Sequence, residues 1–115
     1  MFNDAKLPCY EYILPYSISF HLLTPIEAYL LQAEEKFCKM DFEAAEILYD
    51  AAILASKTHK FVNEEALANE LAGHFYLETG RKNRSVHYFS QAFEKYNQWG
   101  AVAKANMLTK YFCET

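Results

Sequence analysis

The stretch of sequence that decides the fold is residues 69–93, NELAGHFYLETGRKNRSVHYFSQAF. Its first half carries apolar side chains at the three-to-four-residue spacing that is typical of an amphipathic helix, namely Leu71, Ala72, Phe75 and Tyr76. Gly80 is expected to end that helix, because glycine adopts the left-handed C-terminal conformation at little energetic cost. The second half has another apolar stripe, made by Ser85, Phe89, Ala92, Phe93 and Tyr96. The stretch therefore predicts two helices that are joined by a tight turn.

Small side chains alternate with aromatic ones along this predicted hairpin. Gly73 leaves room for a close approach of two backbones, whereas Tyr76 and Phe89 fill the space between the helices. A glycine, a tyrosine three residues later, a small residue after a further nine, and then an aromatic residue and an alanine form the tetratricopeptide pattern. The hairpin therefore resembles a tetratricopeptide (TPR) unit, and we expect Gly73 to lie where two helices cross closely.

The same pattern recurs 40 residues earlier in the chain. Residues 40–53 align with residues 80–93, and residues 31–33 of the leading helix align with 71–73, through the pairs Ala45/Ser85, Tyr49/Phe89, Ala52/Ala92, Leu31/Leu71 and Ala33/Gly73. A spacing of 40 exceeds the usual 34 or so residues, so each pair has longer helices or a longer link. The predicted fold class is all-α, a TPR-like array of antiparallel helix hairpins with two pairs and a terminal helix.

Local signals place the helix ends. Thr24 can cap a helix whose first position is Pro25, and Glu27 completes a capping box. The predicted helices run from Pro25 to about Lys39, from Phe42 (capped by Asp41) to about Lys57, from about Asn63 to near Thr79, from about Lys82 to Gln98, and over residues 101–112. Residues 1–23 are predicted to be an irregular N-terminal segment, and residues 24–115 the helical repeat domain.

Composition excludes several function classes. The 115 residues fit one domain, and a formal net charge of -4 argues against a nucleic-acid partner. No apolar run approaches the roughly 20 residues of a membrane span, and the first residues lack the features of a signal peptide. Three widely spaced cysteines, Cys9, Cys38 and Cys113, suit reduced thiols better than a disulfide framework. We therefore expect a cytoplasmic protein.

A longer resemblance covers residues 18–112. The residues that carry it are Phe20, Ala33, Glu34, the run 64–72, Phe75, Tyr76, Leu77, Gly80, Arg81, Ala92, Tyr96, Trp99, Gly100, Ala101, Ala103 and Lys104. The run is similar to the tetratricopeptide-like stretch of large bacterial and fungal signalling proteins. Those proteins combine a serine/threonine-kinase-like domain, an AAA-type ATPase module, a GAF domain and a sensor histidine kinase. The resemblance implies a piece excised from a cytosolic two-component sensor histidine kinase, without its ATPase or kinase site.

Signals for catalysis or metal binding are weak. His21 is followed by Leu22, whereas the phosphoacceptor box of histidine kinases needs an acidic residue directly after the histidine. No His/Cys spacing resembles a zinc site, and there is no glycine-rich phosphate loop. The many glutamates are typical of a solvated helix face. We expect no enzyme activity in this chain, no metal and no cofactor.

Two function hypotheses follow. The first is a protein–protein interaction scaffold that binds a signalling partner or a neighbouring domain of the same chain. The alternative is a redox-responsive interaction module that uses Cys9, Cys38 or Cys113. Self-association is also expected through apolar side chains exposed at the two ends of the array, among Phe2, Leu7, Leu108 and Phe112.

The TPR register predicts which residues line a partner-binding groove. With Gly73 at the eighth repeat position, the second pair contributes Leu67, Glu70, His74, Leu77 and Glu78. A shift of 40 residues gives Glu27, Leu30, Glu34, Phe37 and Cys38 in the first pair. The set lacks the lysines and asparagines that clamp a terminal carboxylate in chaperone-binding relatives. A basic or amphipathic segment fits better, with Leu30, Phe37 and Leu67 as apolar contacts and with Glu34 and Glu70 near its cations. The alternative is that these carboxylates only keep the groove soluble.

Overall fold

A computed structural model describes residues 24–112 of the chain as five α-helices. The helices are α1 (Pro25–Cys38), α2 (Phe42–His59), α3 (Val62–Glu78), α4 (Lys82–Trp99) and α5 (Val102–Met107), and a 3₁₀ turn at Thr109–Tyr111 follows. These residues contain no β-strand. The predicted all-α class of helix hairpins with a terminal helix is therefore confirmed. The predicted irregular segment, residues 1–23, lies outside the described residues.

Each of the first four helices ends in a turn of the same type. Left-handed residues stand at Met40, Lys60, Gly80 and Gly100, with φ of 64°, 61°, 85° and 101°. The N–H of the next residue donates to the carbonyl five positions back, for example from Asp41 to Lys36 and from Arg81 to Tyr76 at 2.8 Å each. The left-handed residues are 20 positions apart, so the 40-residue repeat consists of two 20-residue halves of helix plus turn. The expected left-handed conformation of Gly80 is confirmed.

The predicted helix starts are confirmed at two places. The Glu27 N–H donates to Thr24 Oγ1 at 3.0 Å, and the Thr24 N–H donates to Glu27 Oε1 at 3.4 Å, which completes the capping box before α1. Asp41 Oδ1 accepts from the Ala44 N–H at 3.3 Å at the start of α2. Local side chains thus fix where both helices of the first pair begin.

The last helix is shorter than predicted. The sequence predicts one helix over residues 101–112, but α5 ends at Met107 and the chain tightens into the 3₁₀ turn. The Thr109 hydroxyl donates to the carbonyl oxygen of Asn106 at 2.9 Å and so competes with the helical backbone for that acceptor. The Tyr111 N–H donates to the Leu108 carbonyl, three residues back, rather than four.

The described chain divides into two compact units, with the boundary between Ala55 and Ser56 inside α2. This boundary falls within the range that the sequence treats as a single repeat domain. The buried apolar side chains of the first unit are Ile26, Leu30, Ala33, Phe37, Ala45, Tyr49, Ala52 and Ile53. One core cluster of the second unit joins α3, α4, α5 and the turn after it, through Ala66, Phe89, Ala92, Tyr96, Ala105 and Leu108.

Gly73 lies at a close crossing of α3 and α4, as predicted. A β-carbon at this position would stand 2.9 Å from two ring carbons of Phe89, closer than non-bonded carbon atoms approach. The Phe89 ring has little freedom to move, because Tyr111 stacks on it at 4.2 Å between centroids and His74 meets it edge-on at 5.0 Å. The missing side chain of Gly73 is therefore what lets the two helices of the second hairpin approach each other.

Not one of the helices within residues 24–112 combines the length and the hydrophobicity needed to cross a bilayer.

Candidate partner-binding surfaces

The groove residues predicted on the first hairpin lie mostly in its core. Leu30 and Phe37 are buried, and the side chain of Glu34 is 2% exposed. Glu34 Oε2 accepts a hydrogen bond from the hydroxyl of Tyr49 on α2. Glu27 is half-buried and serves the capping box. Leu30 and Phe37 are almost completely covered within the protein, and their predicted contact with a partner stays a prediction.

The groove residue Glu70 of the second hairpin is engaged by its own chain. Its Oε1 accepts from the Tyr96 hydroxyl at 2.7 Å, and its Oε2 accepts from Lys104 Nζ at 3.0 Å. His74 Nε2 lies 3.9 Å from the same Oε2. The sequence predicts that a cation meets Glu70, and a cation does, but it comes from α5 and not from a partner.

The other predicted groove residues of α3 are divided between core and surface. His74 is half-buried and its ring lies edge-on to Tyr111 at 5.4 Å between centroids. Leu77 is half-buried and packs against the core of the second unit, Leu67 is also half-buried, and Glu78 is exposed. The segment after α4 therefore covers part of the surface that the sequence assigns to a partner.

Repeat-equivalent positions show what the sequence missed about the glutamates. Glu34 and Tyr49 of the first hairpin correspond, 40 residues on, to His74 and Phe89 of the second. The first pair is joined by a buried hydrogen bond and the second by an edge-on aromatic contact at 5.0 Å. Both residues of the pair are replaced between the repeats, Glu by His and Tyr by Phe. This joint replacement was the signal in the sequence that Glu34 has a structural partner.

An exposed apolar face occurs on α2, where the sequence did not predict one. Ile47 is 68% exposed and Leu54 is 66% exposed, and both share one face of the helix with the exposed residues Glu43 and Asp50. We call these four residues the α2 face. The repeat-equivalent positions on α4 are polar, namely Asn83, His87, Ser90 and Glu94. The contrast between the two repeats was visible in the sequence and could have identified this face.

The end residues differ from the prediction. Leu108 was expected to be exposed, but it is buried in the core of the second unit, so that expectation is wrong. Phe112 is half-buried and meets Phe93 edge-on at 5.3 Å. Val102 and Met107 of α5 are the exposed apolar residues there, at 54% and 63%. Phe2 and Leu7 lie outside the described residues.

The cysteine and metal predictions have limited structural counterparts. Cys38 is half-buried at the end of α1, while Cys9 and Cys113 lie outside the described residues. The redox-responsive alternative therefore stays a prediction. Among residues 24–112, no three or more His, Cys, Asp or Glu side chains are grouped so that they could hold a metal ion.

Comparisons with known proteins do not assign a family. The chain matches no protein-family model, no curated protein and no solved structure. The tetratricopeptide identity of the repeat and the two-component context therefore stay predictions. What the surfaces can bind follows from the side chains of this chain alone.

Proposed function

We propose that this chain is a non-catalytic protein–protein interaction module, and that its partner docks on the α2 face. The observation that carries the proposal is the exposure of Ile47 and Leu54, each about two-thirds accessible to solvent. Single exposed apolar residues are common and need no explanation. Ile47 and Leu54 are instead two large aliphatic side chains on one exposed face of the same helix, two turns apart, and exposed apolar groups that share a face and are surrounded by polar residues mark interaction sites.

The α2 face suits a basic amphipathic helix. Its members stand at positions 43, 47, 50 and 54, the alternating spacing of four and three residues along which two helices pack. Carboxylates of Glu43 and Asp50 alternate with the aliphatic groups of Ile47 and Leu54. A partner helix with leucines and lysines at the same spacing would bury the aliphatic groups and pair the charges. This partner chemistry is the one that the sequence predicts for the groove, placed on a different surface.

The cellular setting of the proposal comes from the sequence. The resemblance over residues 18–112 supports a cytoplasmic two-component signalling protein as the parent, with a sensor histidine kinase domain elsewhere in it. The partner is then a second signalling protein or a neighbouring domain of the same parent.

Titration with a defined peptide tests the proposal. The probe is a fluorescein-labelled helical peptide. Leucine and lysine alternate on one of its faces, at the same spacing of four and three residues as the α2 face. The Ile47→Ser, Leu54→Ser double variant should weaken binding by about tenfold or more, since it removes most of the apolar area of the face. The matched control is the variant His87→Ser with Glu94→Ser, at the equivalent positions of α4. It should bind the peptide as tightly as the chain without substitutions does.

Salt dependence separates the charged from the apolar contribution. Glu43→Gln with Asp50→Asn should flatten the decrease of affinity with ionic strength, because the acidic groups of the face are then neutral. Equal affinity of the parent chain and the Ile47→Ser, Leu54→Ser variant would show that the α2 face is not the docking surface.

A further inference from the structure

The second unit contains a cleft of about 380 Å³ between the end of α2, the start of α3 and the last turns of α4. This volume lies in the range of about 300–1,000 Å³ that ligand sites occupy. Three lysines and one glutamate supply its charged groups, and the complete lining is Lys57, Lys60, Val62, Glu65, Gln91, Lys95 and Gln98. The cleft is therefore positively charged in a chain whose net charge is -4.

The cleft holds a buried carboxylate oxygen that accepts no hydrogen bond from the described residues. The side chain of Glu65 is 5% exposed, and its Oε2 lies 3.8 Å from Lys95 Nζ, beyond hydrogen-bond distance. Buried polar atoms in native proteins almost always have a hydrogen-bond partner. A ligand that brings an N–H group to Glu65 would supply the donor.

Two of the lysines have no local acidic partner. Within residues 24–112, no carboxylate lies within ion-pair distance of Lys57 or Lys60, and both side chains are exposed. Lys60 also holds the left-handed conformation, with φ of 61°, at a position where the repeat 40 residues later has Gly100. Glycine adopts this conformation more readily than lysine does. The turn thus presents an ammonium group to the cleft at a position where glycine would be easier for the backbone.

The amide side chains of the cleft suit a peptide backbone. Gln91 and Gln98 stand seven positions apart on α4 with Lys95 between them. Seven residues of helix rise by about 10 Å, which is the length of about three residues of extended chain. An amide group both donates and accepts hydrogen bonds, as a peptide group does. Two glutamines at this separation can therefore bind an extended segment at both ends.

We propose that this cleft binds an extended acidic segment of a partner protein. Lys57, Lys60 and Lys95 pair with its carboxylates, and Glu65 accepts one of its backbone N–H groups. Gln91 and Gln98 bond its peptide groups. A free phosphate would use the lysines but would be repelled by Glu65, so the carboxylate selects a ligand with N–H donors. The site goes beyond the proposed function, because it is distinct from the α2 face and takes a ligand of opposite charge.

Fluorescence anisotropy with the full chain tests the charged contacts. The probe is a fluorescein-labelled peptide of alternating glutamate and alanine. A labelled peptide of alternating lysine and alanine is the control, and it should not bind the cleft. Lys57→Glu with Lys60→Glu should weaken binding of the acidic probe by about tenfold or more. Lys39→Glu with Lys82→Glu changes the net charge equally at exposed lysines outside the cleft and should leave the affinity within about twofold of the parent value.

Backbone recognition is tested with the same peptide carrying N-methylated amides, which keep the charge and remove the N–H donors. The methylated peptide should bind about tenfold more weakly, and so should the unmethylated peptide to the Gln91→Ala, Gln98→Ala variant. Glu65→Gln should weaken the unmethylated peptide but strengthen competition by inorganic phosphate. Helicity by circular dichroism checks that Glu65→Gln folds, and the methylated peptide gives an answer without any substitution.

The outcomes that overturn the proposal are distinct. Equal affinity for the methylated and the unmethylated acidic peptide would mean that the cleft responds to negative charge alone. Tighter binding of the unmethylated peptide by the Glu65→Gln variant would mean the same. Unchanged binding by Lys57→Glu with Lys60→Glu would place the acidic ligand elsewhere. The Ile47→Ser, Leu54→Ser variant should bind the acidic peptide normally, so failure of the α2 face and failure of the cleft can be told apart.

Discussion

At the scale of single residues, the two hairpins solve the same packing problem with different chemistry. Ala33 and Tyr49 of the first hairpin correspond to Gly73 and Phe89 of the second. In the second hairpin the helices come so close that the position opposite the ring has no room for a β-carbon. The first hairpin accepts a β-carbon at the equivalent position, and Tyr49 uses its hydroxyl to bond Glu34.

Enlarging Gly73 should destabilise the chain. Gly73→Leu places a side chain against the Phe89 ring and should lower the free energy of unfolding by about 1–3 kcal/mol. Denaturant unfolding measures this. Ala33→Gly, at the equivalent position, is the comparison and should cost about 1–2 kcal/mol, through lower helix propensity and the loss of a buried methyl group, without any steric clash. An unchanged unfolding midpoint for Gly73→Leu would contradict the close crossing.

Removal of the Tyr49 hydroxyl should also destabilise. Tyr49→Phe takes away the group that donates to the buried carboxylate of Glu34, which should cost about 1–3 kcal/mol. Glu34→His with Tyr49→Phe installs the pair that the second hairpin uses at this position, so the double variant should lose less stability than the sum of the two single variants. Strict additivity in denaturant unfolding would refute the equivalence of the two pairs.

At the scale of helices and turns, the sequence predicts what local chemistry decides. The capping box at Thr24 and the left-handed Gly80 depend on neighbours within a few residues, and both are predicted correctly. The roles of Glu34 and Glu70 could not be predicted in the same way. Their tyrosine partners lie 15 and 26 residues away, so the burial of these carboxylates depends on tertiary packing.

The four turns differ in residue and should differ in strain. Met40 holds a left-handed conformation that glycine occupies at Gly80. Met40→Gly should raise stability by less than about 1 kcal/mol, since glycine also gains entropy in the unfolded chain. Gly80→Ala should lower stability by about 1 kcal/mol. Thermal unfolding followed by circular dichroism measures both changes in stability. A change of the same sign and size in the two variants, instead of a gain for Met40→Gly and a loss for Gly80→Ala, would show that the turns are not equivalent.

A carboxylate on α3 adds a polar contact to the apolar packing of α5. Glu70 on α3 accepts hydrogen bonds from Tyr96 on α4 and from Lys104 on α5. Lys104→Met should speed amide hydrogen exchange in α5 while leaving α3 and α4 protected. Lys110→Met, in the 3₁₀ turn that follows α5, is the control and should leave exchange in α5 unchanged. Equal exchange in the Lys104→Met variant and the parent chain would mean that apolar packing alone holds α5.

At the scale of the whole chain, acidic and basic side chains are concentrated on different surfaces. The net charge of -4 argues against nucleic acid, yet it does not show that two carboxylates lie on the α2 face and that three lysines line a cleft in the second unit. Composition gave no sign of the cleft, because its lysines come from two separate stretches of sequence, residues 57–60 and Lys95, that folding brings together. The sequence also misplaced the exposed end, since the burial of Leu108 depends on its contact with the core of the second unit.

Exposed apolar residues on α5 should make the chain self-associate. Val102 and Met107 are both more than half exposed. Sedimentation velocity should therefore show a larger species that grows with concentration, and Val102→Glu with Met107→Glu should restore the monomer, because charge opposes burial of the face. A chain that stays monomeric at the highest concentrations would contradict association through this end.

The matching turns also determine how such a chain can change in length. Met40 and Gly80 share one backbone conformation and one pattern of carbonyl acceptors, so residues 41–80 begin and end at interchangeable peptide junctions. A tandem duplication of that segment would encode a longer protein without requiring any new turn geometry. Duplication of a single 20-residue half would instead add a helix without its hairpin partner. Whole helix pairs are therefore the unit by which genes of this architecture can be lengthened or trimmed.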